Sequence, residues 1–199
     1  MRVKSEEKRQ AILEIAKNSF TQQGFEQTSM SYIAKELGGS KATLYNYFSS
    51  KEAIFIAVMK SSASEQIAQS FLALDPKRDM QTSLLEFGYN FLSSVMTPDA
   101  MAIYRMAIHE ADRSSVGRKF YENGPKLGWT HLSDYIDSQV KKGLLKRCDT
   151  WFAAMQFKAL LSAEHIEPFA LGAIDAPSAS ELKAATQRAV DTFLVLYAA

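Results

Sequence analysis

From Ser40 to Lys51 the chain reads S-K-A-T-L-Y-N-Y-F-S-S-K. Leu44 and Phe48 stand four residues apart, the spacing that puts two side chains on one face of a helix. With those two turned inward, Lys41, Thr43, Tyr45, Asn46 and Tyr47 cannot all be buried beside them. An ammonium, an amide and three hydroxyls on one short helix are groups that bond to phosphate oxygens and to base edges in the DNA major groove. Upstream, Thr28 and Ser29 offer hydroxyls and backbone N–H groups to a phosphate from the start of the preceding helix.

Other reactive residue types are thinner. Arg105, His109 and Asp112 follow at i, i+4 and i+7, either a polar handle for a ligand or a solvated face. His109-Glu110 and Glu164-His165 are fragments of metal-binding patterns. The three histidines (His109, His131 and His165) share no motif spacing, so neither a metal nor any other cofactor is expected. Cys148 has no positioned base or resolving cysteine. With no nucleophile–base pair and no glycine-rich phosphate loop, the chain does not read as an enzyme.

The polar face needs a scaffold, and the flanking residues supply one. Met30, Ile33, Ala34 and Leu37 recur at helical spacing behind Thr28 or Ser29 as cap. Gly38-Gly39 makes a tight turn, and Ser40 caps the next helix. Two short helices joined by such a turn describe a helix-turn-helix. Ahead of them, Ser5 with Glu6 and Glu7 opens a helix whose inward stripe is Ile12, Leu13, Ala16 and Phe20, with Ile15 widening it; Gly24 stops it. Phe25, Ile33, Leu37, Leu44 and Phe48 complete the expected core. Ser49-Ser50-Lys51-Glu52 reads as a capping box opening a linker helix to about Leu74, where Asp75-Pro76 ends it.

From residue 79 every segment has a helical period and none alternates like a strand. Helices are expected at about 79–95, 98–112, 115–143 (broken or kinked at Gly124-Pro125), 149–172 and 178–198. The fold class is all-α, with an N-terminal three-helix helix-turn-helix bundle over 1–50 and a larger C-terminal helical domain for ligand binding and dimerisation over 51–199. Within the last two helices, Phe152, Met155 and Ala159 form one side, and Leu182, Ala185, Ala189, Phe193 and Leu196 form a stripe. Further apolar residues cover a second side of each, and a helix apolar on more than one face needs more than one partner. Either a second copy supplies it, which assigns these eight residues to a homodimer interface, or both helices are central to their own domain.

The charge is distributed to match. Net charge is only +1, yet residues 1–51 hold eight Lys/Arg against five Asp/Glu, and the remainder fifteen against seventeen. Any nucleic-acid surface therefore belongs at the N-terminus. One cysteine excludes an intrachain disulfide, no signal peptide is visible, and no apolar run reaches the ~18 residues that span a bilayer. A cytoplasmic protein without a membrane partner is expected.

The stretch AILEIAKNSFTQQGFEQTSMSYIAKELGGSKATLYNYFSSKEAIF, taken whole, resembles the DNA-binding domain of the TetR family of bacterial transcriptional regulators. The S-K-x-T-L-Y-x-Y-F-x-S-K-E run is the narrow part of the match. The resemblance implies that Ser40, Lys41, Ala42, Thr43, Tyr45, Asn46 and Tyr47 line the recognition helix; Lys51, at the next helix start, is expected to neutralise a phosphate. It implies a palindromic double-stranded operator bound by a homodimer. Members usually carry an apolar residue before the Ser-Lys pair, where this chain has Gly39. That substitution gives either a looser turn or a backbone able to approach a phosphate.

The family's C-terminal domains commonly bind a small molecule that changes the spacing of the recognition helices, and here the linker helix would carry the movement. Phe87, Phe91, Tyr104, Arg105, His109, Trp129 and Phe157 are the candidate contacts for an apolar or aromatic effector. The expected function is a repressor released by that effector. The alternative is a ligand-independent architectural or partner-recruiting protein on the same fold.

Overall fold

A computed structural model describes residues 5–59 and 63–199. Its helices are α1 (Glu6–Gln23), α2 (Met30–Glu36), α3 (Lys41–Tyr45), α4 (Lys51–Met59), α5 (Ala63–Ser70), α6 (Met80–Val95), α7 (Pro98–His109), α8 (Val116–Asn123), α9 (Pro125–Lys141), α10 (Thr150–Ser162), α11 (Ile166–Ala170) and α12 (Ala179–Tyr197). The all-α class is confirmed. The only extended pairing among the described residues is a single bridge between Leu145 and Ala198.

Helix starts follow local chemistry. Ser5, Ser29, Ser40, Asp79, Asp149 and Ser178 each accept a backbone N–H from the first turn. These are short oxygen-bearing side chains that satisfy donors a helix start leaves open. At α4 the cap is Ser50, which accepts from the Ala53 N–H at 3.1 Å. Glu52 thus occupies the second helical position and bonds the Ser50 hydroxyl, so the capping box expected from Ser49 does not form. The helix expected at 115–143 is broken at Gly124-Pro125, with Pro125 opening α9. The expected single helix 149–172 is two, because Pro168 has no N–H to donate and sits in the first turn of α11, where none is required. The linker helix expected to reach Leu74 is seen as α4 and α5, followed by one 3₁₀ turn over Phe71–Ala73. Its middle, residues 60–62, lies outside the described residues.

The chain divides into two compact units. The first holds the described residues up to Met59 together with Ala102–Tyr121. Its core contains the expected Ile12, Leu13, Ala16, Phe20, Phe25, Ile33, Leu44 and Phe48, with Leu37 half-buried against them. Ile54, Phe55, Ile103, Met106 and Val116 join it. The rings of Phe20, Phe25 and Phe55 meet pairwise at 5.3–5.8 Å, a triangle of tilted and edge-on contacts.

The second unit holds Ala63–Met101 and Glu122–Ala199. Its core is aromatic: Phe71 contacts Phe87 at 4.8 Å between ring centroids, Phe91 contacts Trp129 at 5.0 Å, and Phe157 contacts Phe193 at 4.9 Å. Gly88 lets α6 lie against α10 and α12, since a Cβ there would stand 2.7 Å from Thr186 and 2.9 Å from Leu161. No helix among the described residues is long and apolar enough to cross a membrane.

Candidate nucleic-acid interface

The turn between α2 and α3 sets the site. The Gly38 N–H donates to the Lys35 carbonyl at 2.9 Å and the Gly39 N–H to the Ala34 carbonyl at 3.0 Å. These are the two bonds of a Schellman motif, with Gly38 at the position that needs a left-handed backbone (φ 68°). Gly39 is the following residue, where such motifs commonly place an apolar side chain against the helix. Its φ is not left-handed. A Cβ there would lie 3.8 Å from both Leu37 and Thr43, an ordinary contact distance. The turn is therefore hydrogen-bonded in full, and what Gly39 omits is one packing contact.

Ser40 then caps α3, accepting from the Thr43 N–H at 3.1 Å and exchanging a 3.0 Å bond with the Thr43 hydroxyl. Leu44 and Phe48 are buried, as their spacing requires. With that stripe inside, Lys41, Ala42, Tyr45 and Asn46 are exposed and Thr43 and Tyr47 half-buried. Tyr45 leaves 52 % of its surface in solvent, high for an aromatic on a five-residue helix. Tyr47 lies along the core, and its phenolic oxygen accepts from the Ser5 N–H at 3.3 Å, linking the recognition segment to the start of α1. Below them, Arg9 lies over the Phe48 ring at 5.6 Å while paired with Glu6.

Two expected phosphate contacts are corrected. Thr28 is fully buried and its hydroxyl donates to the Gly24 carbonyl at 2.9 Å, so it stabilises the chain between α1 and α2 instead of facing DNA. Lys51 turns inward: its Nζ donates to the Phe25 carbonyl at 2.6 Å and the Glu26 carbonyl at 3.3 Å, 4.2 Å from the Phe25 ring centroid. A cation on two carbonyls and a ring face is a clamp on the α1–α2 connection. Ser29 stays exposed as the α2 cap, its Oγ accepting from the Tyr32 N–H. Beside this region, the Ser50 hydroxyl and then a backbone N–H hold the Glu52 carboxyl below the usual carboxylate range, with Lys119 and Lys51 adding a smaller pull.

The other expected site residues separate. Phe87, Phe91, Trp129 and Phe157 come together in the second unit, packed ring against ring. Tyr104, Arg105 and His109 do not join them, because Ala102–Tyr121 belongs to the first unit. There Tyr104 rests on Phe120. Of the proposed dimer residues, Phe152, Ala159 and Leu196 are exposed and Met155 half-buried. Leu182, Ala185, Ala189 and Phe193 are instead buried in the chain's own core, on a helix that packs against both α6 and α10. The outward apolar face is carried by Phe152 and Leu196 together with Trp151 and Val195.

The chain is similar to known transcriptional regulators. Residues 12–58 match the model of bacterial regulatory proteins of the tetR family. Residues 82–199 match the C-terminal domain of AefR-like transcriptional repressors. The chain is 26 % identical over 151 residues to YhgD, an uncharacterised HTH-type transcriptional regulator of Bacillus subtilis, covering 72 % of this chain and 74 % of that one. Over the whole of both chains it superposes on a protein described as a TetR-family regulator from Mesorhizobium loti, with TM-score 0.84 and 25 % identity. A flavonoid-responsive regulator, FrrA, is also similar, at TM-score 0.84 and 28 % identity over 98 % of each chain.

Proposed function

The chain belongs to the TetR family and is a DNA-binding transcriptional regulator, and from that footing we propose that it acts in the cytoplasm as a homodimeric repressor released from a palindromic operator by a small, flat effector. The observation that carries the DNA reading is the face of α3, where Lys41, Ala42, Tyr45 and Asn46 stay exposed around a buried Leu44. Lys41 presents three donors to a guanine edge or a phosphate, Ala42 meets a thymine methyl, and Asn46 reads or anchors. Thr43, Tyr47, Ser40 and Ser29 flank that face.

Pairing of two copies is supported by the apolar surface on the last long helices. Val195 is 80 % exposed and Phe152 58 %. Large apolar side chains this exposed on neighbouring helices mark a surface that is covered in the working protein. Two copies joined there would present two α3 helices, and the operator's half-sites would then be spaced by about one DNA turn or a multiple of it.

Release by a ligand is supported by the aromatic cluster of α6, α9 and α10, by the likeness to AefR-like repressors, and by the flavonoid-responsive neighbour. A flat ring system slots between Phe87, Phe91, Trp129 and Phe157 by the same offset and edge-on contacts those rings now make with one another. One observation favours the ligand-independent alternative: the two best-formed clefts among the described residues are not lined by any of these four side chains. A duplex selected from random sequence on the full-length protein discriminates the readings. Binding by the parent protein should be weakened about tenfold by Lys41→Ala and by Tyr45→Ala, with the slope of log affinity against log salt falling by about 1 for Lys41→Ala. Quercetin as flavonoid probe should release the duplex. Unchanged DNA affinity in both variants would overturn the interface, and duplex binding indifferent to quercetin and to a panel of flat aromatics would select the alternative.

A further inference from the structure

In the second unit, α5 and α6 pack together and leave between them a cleft of about 320 Å³, lined by Gln66, Gln69, Ser70, Asn90, Ser93 and Ser94. Each helix contributes residues at i, i+3 and i+4, the spacing that turns three side chains to one side. All six carry a carboxamide or a hydroxyl, and none is charged or aromatic. Gln66 and Gln69 are exposed and Asn90 is half-buried. Among the described residues their three carboxamides have no hydrogen-bond partner. The Ser93 hydroxyl is buried and likewise unpartnered. Ser70 and Ser94 donate to the Ile67 and Asn90 carbonyls at 2.6 and 2.7 Å, which leaves both oxygens with lone pairs to accept.

A carboxamide holds an acceptor oxygen and a donor N–H₂ in one plane, so it pairs with two adjacent hydroxyls, one donating and one accepting. Three of them beside three serine oxygens form a surface for a molecule that carries hydroxyls all round. An ionised ligand gains no counter-charge here, and a flat aromatic finds no ring to stack on. The volume is near the lower end of ligand sites, which run from about 300 to 1,000 Å³, and suits one small ring. We propose that this cleft binds a small neutral polyhydroxylated molecule, a monosaccharide or cyclitol. The site is independent of the flat effector, since none of Phe87, Phe91, Trp129 and Phe157 lines it. Along the chain α5 is the next helix after α4, so a ligand tying α5 to α6 holds the segment that leads out of the head.

Saturation-transfer NMR titration of the full-length protein with D-glucose, D-ribose and myo-inositol tests the site. At least one of the three should bind with a dissociation constant of about 1 mM, the scale for ten to twelve non-hydrogen atoms in an open cleft. Glucuronate, the glucose ring with a carboxylate added, should bind roughly tenfold more weakly than glucose. Asn90→Leu, which keeps the size and removes the carboxamide, should weaken the bound sugar roughly tenfold. Gln69→Ala, at an exposed position, should also weaken it severalfold while melting like the parent. If Asn90→Leu fails to fold, Gln69→Ala and the glucuronate comparison decide the matter. No binding of any of the three at about 10 mM, glucuronate as tight as glucose, or undiminished affinity in folded Gln69→Ala would each overturn the proposal. Release of DNA by quercetin tests the aromatic cluster separately, so either site can fail without the other.

Discussion

Replacing Gly39 by alanine should stabilise the first unit by about 1 kcal/mol. Two contributions add. The backbone there is outside the left-handed region, so alanine fits, and removing a glycine restricts the unfolded chain, a gain of about 0.4–1 kcal/mol. The new methyl would rest 3.8 Å from Leu37 and from Thr43 without displacing either. A fully buried methylene is worth about 0.8 kcal/mol, and this half-buried position yields about half of it. Gly38→Ala is the control. Its φ of 68° puts a Cβ against the following carbonyl, at a cost of about 1–2 kcal/mol. Thermal and urea unfolding of both variants would measure the difference, the gain at Gly39 corresponding to about 2–4 °C. DNA affinity of Gly39→Ala should stay within about twofold, because the N–H to the Ala34 carbonyl remains. A destabilised Gly39→Ala, or a tenfold loss of DNA binding with stability gained, would refute the reasoning. The second outcome would show that the backbone at Gly39 approaches a phosphate.

Two further substitutions test how the head is held. Lys51→Met should cost about 2 kcal/mol of stability by freeing the Phe25 and Glu26 carbonyls, while leaving the salt slope of DNA binding as it was. A slope reduced by about 1 with unchanged stability would return Lys51 to the phosphate. Ser50→Ala should cost about 1 kcal/mol near neutral pH through loss of the α4 cap. Folding lowers the Glu52 pKa, so its contribution is complete above the ordinary carboxylate range and is lost as pH falls through the lowered value. The gap between variant and parent should therefore narrow below about pH 4 in acid titrations of unfolding, and a gap constant with pH would show that Glu52 takes no part.

The recognition segment was legible because its signals are local. Ser40 as cap, Gly38 in the turn, and Leu44 and Phe48 facing inward are fixed by neighbours within a few residues. Pro168 carried an equally local signal for the break between α10 and α11. What a periodic pattern does not contain is which partner each face meets. On α12 the pattern is apolar over more than one side, and Leu182, Ala185, Ala189, Val190 and Phe193 turn inward while Val195 and Leu196 stay exposed. Lys51 is similar: a lysine at a helix start near DNA-reading residues reads as a phosphate contact, and the carbonyls that capture it lie 25 and 26 residues earlier. Arg105 and His109 were separated from Phe87 and Trp129 by the return of Ala102–Tyr121 to the first unit, a choice made by Ile103, Met106 and Val116 entering its core.

That return also sets an order of events on the ribosome. A head ending at residue 50, or at the end of α4, would leave the nascent chain with Phe20, Ile54 and Phe55 still short of Ile103, Met106 and Val116. At about 5–20 residues per second the missing stretch arrives several seconds later. Through that interval the head's core lacks the side chains of α7 and α8 that complete it. The DNA-reading end is thus not a transferable cassette. A chimera exchanging residues 1–62 alone would join one lineage's α1 to another's Ile103–Val116, and those two sets of side chains must be inherited together.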